Sequence, residues 1–116
     1  MNYLAHIRLA GDDEDLRLGA MLGDFVRGSE ELRKYAPGVQ SGILLHRHID
    51  ARIDALPATA ELLEWLQPPF RRYGGIIIDL ALDHELALRW DQYSEVSLQD
   101  FDRGIRETID YFRGVV

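Results

Sequence analysis

Apolar residues recur at helical spacing along most of the chain, and this pattern predicts a series of amphipathic helices. The clearest stripe has intervals of four, four and three residues, at Leu45, Ile49, Ile53 and Leu56. This spacing places the four side chains on one face of a helix. A second helix is expected to begin at Pro57, because proline disfavours helix in the residue before it but suits a first helical turn.

Caps and breakers predict the other helices. Asp12 or Asp13 can cap a helix that ends near Gly28. A long helical pattern occupies about 70–90, where leucine, alanine and glutamate outweigh a short run of isoleucines that alone would suit a strand. Ser97 can cap a final helix. We therefore expect an all-α fold.

Length and composition narrow the class of protein. A chain of 116 residues suits one compact helical domain over 1–116, and its 47% of hydrophobic residues can form a core. The sequence has no cysteine, which excludes disulfides, thiolate zinc sites and a cysteine nucleophile, and fits a reducing, cytoplasmic location. The formal net charge of -7 argues against a nucleic acid as the main partner.

Neither a membrane span nor a signal peptide is expected. The longest apolar run, 76–78, is followed at once by Asp79 and is far too short to cross a bilayer. The start of the chain, 1–6, lacks a basic region followed by a long apolar run. The sequence thus predicts no contact with a membrane.

The first candidate for chemistry is the pair His46 and Asp50, in the helix that carries the Leu45 stripe. The two residues are four apart, so their side chains lie one above the other at the border of the apolar face. An imidazole beside a carboxylate is a suitable ligand set for manganese, iron or zinc. A simple surface pair on a helix is the alternative interpretation.

Further acids and imidazoles lie among apolar neighbours. Asp79 and Asp83 share a helix face in an apolar segment, with His84 further round. Such carboxylates need a cation, a basic partner or exposure to solvent. Asp24 lies near the predicted end of a helix, where an anion is unfavourable. His6 lies between Ala5 and Ile7 and is interpreted as a core histidine.

Together these residues predict a metal site inside a helical bundle. Bundles build such sites from side chains that project inward from facing helices. A glycine-rich phosphate loop, a G-x-S-x-G elbow and an H-E-x-x-H motif are all absent from the sequence. Four basic residues are available to hold an anionic substrate group: Arg27, Arg47, Arg71 and Arg72.

Four short motifs occur in an order and at a spacing that resemble a known family. They are 1–6 (MNYLAH), 22–28 (LGDFVRG), 46–50 (HRHID) and the acidic segment that begins at Asp79 and runs through Asp83 and His84. The chain resembles the bacterial acyl carrier protein phosphodiesterases, which are similar to metal-dependent HD-type phosphohydrolases. The resemblance covers most of the chain and implies a compact bundle like the HD-type core. Family members usually continue well beyond 116 residues, so a C-terminally shortened bundle is expected.

The resemblance also implies an activity. Such enzymes hydrolyse the phosphodiester that joins 4'-phosphopantetheine to a serine of holo-acyl carrier protein, usually with Mn²⁺. Carried over by position, the residues expected to bind metal and catalyse are Asp24, His46, Asp50, Asp83 and His84. Asp79 and His6 are expected to lie around them. Ala20 stands where the family commonly has asparagine, which predicts fewer polar groups around the site.

Two other functions share some of these features. A related HD-like hydrolase of a nucleotide or another small phosphoester would use the same ligands. A truncated, non-catalytic helical module that binds a partner is the second alternative. A short bundle with an uncovered apolar face can also self-associate, so a homo-oligomer is one expected state.

Overall fold

The computed structural model describes residues 3–115. The predicted domain also includes Met1, Asn2 and Val116, which lie outside this range. The first two of these residues belong to the opening motif. Within the described range, the chain forms seven α-helices: α1 Tyr3–Ala10, α2 Glu14–Leu22, α3 Gly28–Leu32, α4 Pro37–Asp54, α5 Pro57–Trp65, α6 Gly74–Leu88 and α7 Leu98–Val115. Two short 3₁₀ helices, Phe70–Tyr73 and Trp90–Gln92, flank α6.

The all-α prediction is confirmed, because no residue between 3 and 115 is in a strand. The three isoleucines at 76–78 lie in α6, as the surrounding helix formers predict. No helix in this part of the chain is both long and apolar enough to cross a membrane. The likeness to an HD-type phosphohydrolase core stays a prediction.

Helices α2 and α4 cross at two glycines. A β-carbon on Gly19 would lie 2.5 Å from the Cα of Gly42, and one on Gly42 would lie 2.8 Å from the Cα of Gly19. Only residues without a side chain allow two backbones to approach so closely. The crossing therefore places the end of α2 beside the middle of α4, where the candidate ligands lie.

Side-chain caps fix the start of two helices as predicted. The Asp13 carboxylate accepts a hydrogen bond from the backbone N–H of Leu16 at 3.0 Å, which caps α2. The Ser97 hydroxyl accepts one from the backbone N–H of Asp100 at 3.1 Å, which caps α7. Each cap satisfies a backbone donor that the first helical turn leaves without a partner.

The predicted end of α2 near Gly28 is wrong, since the helix ends at Leu22. The Arg47 guanidinium donates hydrogen bonds to the carbonyls of Val26 and Gly28, at 3.1 and 3.0 Å. These bonds hold the segment after α2 in an irregular course. Gly28 then takes a positive φ of 70°, which a residue with a side chain rarely adopts.

The buried face of α4 differs from the predicted stripe. Val39, Ile43 and His46 are buried, whereas Leu45 is half-buried and Leu56 lies beyond the helix and is exposed. The packing of α2 against α4 determines which face of α4 is buried, because α2 contacts the α4 face that carries the small residue Gly42. Buried apolar side chains form two groups, one of Ile7, Ala10, Ala20, Trp90 and Phe101, the other of Val26, Leu32, Val39 and Ile43.

Candidate metal centre

Two histidines and an aspartate from two helices converge beside the α2–α4 crossing. His6 of α1 and His46 and Asp50 of α4 each offer a ligand atom, and these atoms all lie within 4.8 Å of one another. The two imidazole rings stack, with centroids 3.8 Å apart and planes 11° apart. Both histidines are buried, and the Asp50 side chain is 46% exposed. The group is therefore dry on one side and open to solvent on the other.

His46 is held so that its Nε2 atom faces two carboxylates. Nδ1 lies 2.8 Å from the Ala20 carbonyl oxygen, and because a carbonyl only accepts, Nδ1 must carry the proton. Nε2 lies 3.0 Å from Asp24 Oδ1 and 3.2 Å from Asp50 Oδ2. Nε2 and the two carboxylates therefore face one another at distances at which an N–H donor or a metal cation would satisfy the carboxylate oxygens.

His6 has one nitrogen toward the carboxylate and one without a partner. Nε2 lies 2.8 Å from Asp50 Oδ1. Nδ1 is buried and has no hydrogen-bond partner among the described residues. Burial lowers the pKa of His6 below its ordinary value of 6.5, the neighbouring His46 lowers it further, and Asp50 opposes both. The imidazole is therefore favoured in its neutral form, which is the form that binds metals.

The residues present fit a divalent cation. Two imidazoles and two carboxylates form a nitrogen and oxygen donor set that suits manganese, iron or zinc. The side chains of Asp24 and Asp50 are 38% and 46% exposed, so an ion can reach them from solvent. The hydrogen bond from His46 Nδ1 to a backbone carbonyl is the outer contact that metal-binding histidines commonly make.

The structure brings Asp24, His46 and Asp50 together with His6, and it places the other predicted acids on α6. Asp83 lies at the N-terminus of α1, where its carboxylate accepts a hydrogen bond from the backbone N–H of Leu4 at 3.5 Å. Burial raises the pKa of Asp83, and hydrogen bonds from α1 backbone groups oppose that rise. Asp79 is half-buried and His84 is exposed on the same helix. Their role as ligands stays a prediction.

The four predicted anion-binding arginines lie in two places. Arg47 supports the segment after Asp24 through the two carbonyl contacts described above. Arg27 is exposed and precedes α3, where its backbone N–H donates to the Glu31 carboxylate at 2.9 Å. Arg71 and Arg72 are exposed on the 3₁₀ helix before α6, and the Arg72 guanidinium carbon lies 5.7 Å from the centroid of the Tyr73 ring.

An apolar groove lies between α1, α2, α6 and α7, and Phe25, the residue after Asp24, is part of its lining. It has a volume of about 550 Å³ and is lined by Tyr3, Leu4, Ile7, Leu18, Met21, Leu22, Phe25, Asp83, Ile105 and Ile109. Burial, and then the nearby charge of Asp24, raise the pKa of the Tyr3 hydroxyl. Tyr3 lines the groove, so the groove and Asp24 lie in the same part of the molecule.

Sequence reasoning gave His6 a peripheral place and did not anticipate two backbone features. The Ala20 carbonyl, not a side chain, fixes the His46 ring, so the change from asparagine leaves this contact in place. Gly23 leaves the space that the same ring fills. The spacing of residues gives no signal for either feature, because both depend on how α2 and α4 pack.

Curated proteins from Escherichia coli with the name acyl carrier protein phosphodiesterase are similar to this chain. Those of strain S88 (serotype O45:K1) and strain E24377A (serotype O139:H28) are each 41% identical over 110 residues. The match covers 94% of this chain and 56% of each relative, so the chain spans about half the length of these proteins. No solved structure matches the chain.

The sequence model of one family, described as acyl carrier protein phosphodiesterase, matches residues 1–115. This range contains all four motifs on which the resemblance was based, together with every residue of the cluster. The resemblance is therefore confirmed, and the chain belongs to the acyl carrier protein phosphodiesterase family.

Proposed function

We propose that this chain carries the metal centre of an enzyme that releases 4'-phosphopantetheine from holo-acyl carrier protein by hydrolysis of the phosphodiester to serine. The observation that supports this most is the convergence of His6, His46 and Asp50, with Asp24 bonded to His46. Membership of the phosphodiesterase family gives the class of reaction. The products would be apo-acyl carrier protein and free 4'-phosphopantetheine.

In this proposal, the imidazoles of His6 and His46 and the carboxylates of Asp24 and Asp50 hold a divalent cation, and Mn²⁺ is the ion we propose. When bound, such a cation makes water more acidic and offsets negative charge on a phosphoryl oxygen. The protein contributes fixed geometry, since His46 is bonded at both nitrogens and both rings are buried. A fixed donor set avoids the cost of reorganising ligands during the reaction.

Charge on the phosphate must also be balanced from the protein side. We propose that Arg27, exposed three residues after Asp24, contacts the phosphodiester, while Arg47 keeps the intervening segment in place. Arg71 and Arg72 are exposed and are proposed to contact the carrier protein. The apolar groove beside Asp24 offers a surface for the organic part of the substrate.

The α6 residues remain candidates for the proton-transfer roles of the reaction. Asp83 is half-buried near the groove, and burial favours its protonated form, which is the form that a general acid needs. His84 and Asp79 lie on the same helix.

We propose a cytoplasmic location, which the absence of cysteine fits. Self-association is a further prediction, which size-exclusion chromatography with light scattering tests.

The experiment is release of 4'-phosphopantetheine from holo-acyl carrier protein with added Mn²⁺, followed by mass spectrometry of the carrier. The wild-type chain should form apo-carrier, and Asp24→Asn should lose at least tenfold in rate. Asp110→Asn, an exposed carboxylate on α7, is the matched control and should keep the rate. Turnover of a nucleotide panel instead of the carrier would favour the small-phosphoester alternative, and no turnover of either would favour a binding module.

A further inference from the structure

We infer that Gly23 is a positioning residue for the metal centre, because its missing side chain leaves the space in which the His46 ring directs Nε2 toward Asp24 and Asp50. The inference rests on the proposed metal centre. It concerns a residue that contacts neither a cation nor a substrate and acts only through His46.

Conformational freedom does not explain a glycine at this position. Gly23 directly follows the last residue of α2 and has φ -53° and ψ -37°, a right-handed helical conformation that any residue adopts. A β-carbon built there would overlap the His46 ring, at 2.5 Å from Cδ2 and 2.6 Å from Nδ1. Non-bonded carbon atoms prefer separations of about 3.5–4.0 Å. The requirement for glycine is therefore steric, and it comes from His46.

The His46 ring has no room to move away from such a carbon. It is 1% exposed and stacks on the His6 ring with centroids 3.8 Å apart. Its Nδ1 is bonded to the Ala20 carbonyl, one turn before Gly23 in α2. Helix α4 packs closely on α2 at the Gly19–Gly42 contact, so its withdrawal would open a gap at that crossing and lose the contacts there. An added methyl group must therefore turn the ring away from Ala20 and from the two carboxylates.

The chain offers a matched control at Gly75. This glycine is also helical, in the first turn of α6, and an added β-carbon would meet no atom within 4 Å. Alanine has the higher intrinsic helix propensity at either position. Both variants therefore gain the same helix propensity, and a loss of metal affinity in Gly23→Ala but not in Gly75→Ala would identify the overlap with the His46 ring as the cause.

The first measurement is calorimetric titration of Mn²⁺ alone into the purified, metal-free protein. Gly23→Ala should bind Mn²⁺ at least tenfold more weakly than the wild type, a loss typical of removing an outer contact of a metal ligand. Gly75→Ala should bind like the wild type. In a His46→Ala background, Gly23→Ala should cause no further loss. Equal losses with and without the His46 ring would overturn the inference.

The second measurement needs no metal. Long-range ¹H–¹⁵N NMR spectra of the metal-free chain report the tautomer of each imidazole, and His46 should show a protonated Nδ1 in the wild type and in Gly75→Ala. In Gly23→Ala this signature should change. Wild-type His46 signals together with wild-type Mn²⁺ affinity in Gly23→Ala would refute the positioning role.

Two further outcomes are also decisive. If Gly23→Ala does not fold, the double variant Gly23→Ala/His46→Ala should fold, because the overlapping ring is gone, and failure of the double variant would contradict the inference. If the wild type binds no Mn²⁺, the proposed metal centre fails, and the NMR comparison still decides the steric relation. Wild-type binding without hydrolysis of holo-carrier would refute the proposed substrate and leave the role of Gly23 intact.

Discussion

The substitution Gly42→Ala tests the helix crossing on which the site depends. A β-carbon on Gly42 would lie 2.5 Å from the Leu16 carbonyl oxygen and 2.8 Å from the Cα of Gly19. These neighbours are backbone atoms of α2, which cannot rotate aside as a side chain can. The two helices must therefore move apart, and this movement also separates the Asp24 segment from His46.

The expected loss follows from two opposing effects. Overpacking a well-filled contact costs about 1–3 kcal/mol, and here the upper end applies because only backbone can yield. The higher helix propensity of alanine returns about 1 kcal/mol. A net loss of about 2 kcal/mol is therefore expected. Unfolding entropy near 2.1 cal/mol/K per residue corresponds to roughly 0.24 kcal/mol/K for this chain, so Tm should fall by about 8 °C.

Urea unfolding and a thermal scan, both followed by circular dichroism, measure this loss. Gly75→Ala is the control, since its β-carbon meets open space, and it should gain up to about 1 kcal/mol. Equal gains in stability for Gly42→Ala and Gly75→Ala would refute the close crossing of α2 and α4.

Three further predictions concern charge and pH. Burial lowers the pKa of His6, so the unfolded chain takes up a proton at a higher pH than the folded chain does. The free energy of unfolding should therefore fall as pH drops through 6.5 in metal-free buffer. His6→Gln should reduce this pH dependence in urea titrations. Burial raises the pKa of Asp83, so the folded chain keeps the Asp83 proton to a higher pH than the unfolded chain, and the free energy of unfolding should decrease as pH rises above 3.8. Asp83→Asn should flatten the pH profile of stability in this range. An unchanged profile would exclude the desolvation argument. Arg47→Ala removes two bonds from a charged donor and should cost about 2 kcal/mol in urea unfolding, whereas Arg52→Ala, on the exposed face of the same helix, should cost less than about 0.5 kcal/mol.

Sequence spacing predicted most of the helices and the pair on α4 because both depend on local periodicity. His46 and Asp50 are four residues apart, and they share a helix face wherever that helix packs. The caps Asp13 and Ser97 are equally local, since each side chain bonds to a backbone group three residues on. Proline at 57 likewise begins α5 at its first position.

The remaining features depend on contacts between distant segments. The segment that follows the end of α2 at Leu22 is held by hydrogen bonds from Arg47, which lies far along the chain in α4. His6 reaches the cluster because α1 packs against both α2 and α4, and its short helix was not predicted from periodicity. The Arg47 contacts and the position of His6 both depend on packing between helices, which the spacing of residues within one helix does not indicate. For this reason the sequence predicted His6 only as a residue around the site.

The metal centre proposed here requires that His6, His46, Asp24 and Asp50 all bind one cation, and the position of a bound metal decides whether they do. Crystals grown with saturating Mn²⁺ would give an anomalous difference map at the manganese edge. We expect one strong peak in contact with imidazole nitrogens of His6 and His46 and with carboxylate oxygens of Asp24 and Asp50. A peak at the α6 acids Asp79 and Asp83 instead, or no peak at saturating Mn²⁺, would contradict it.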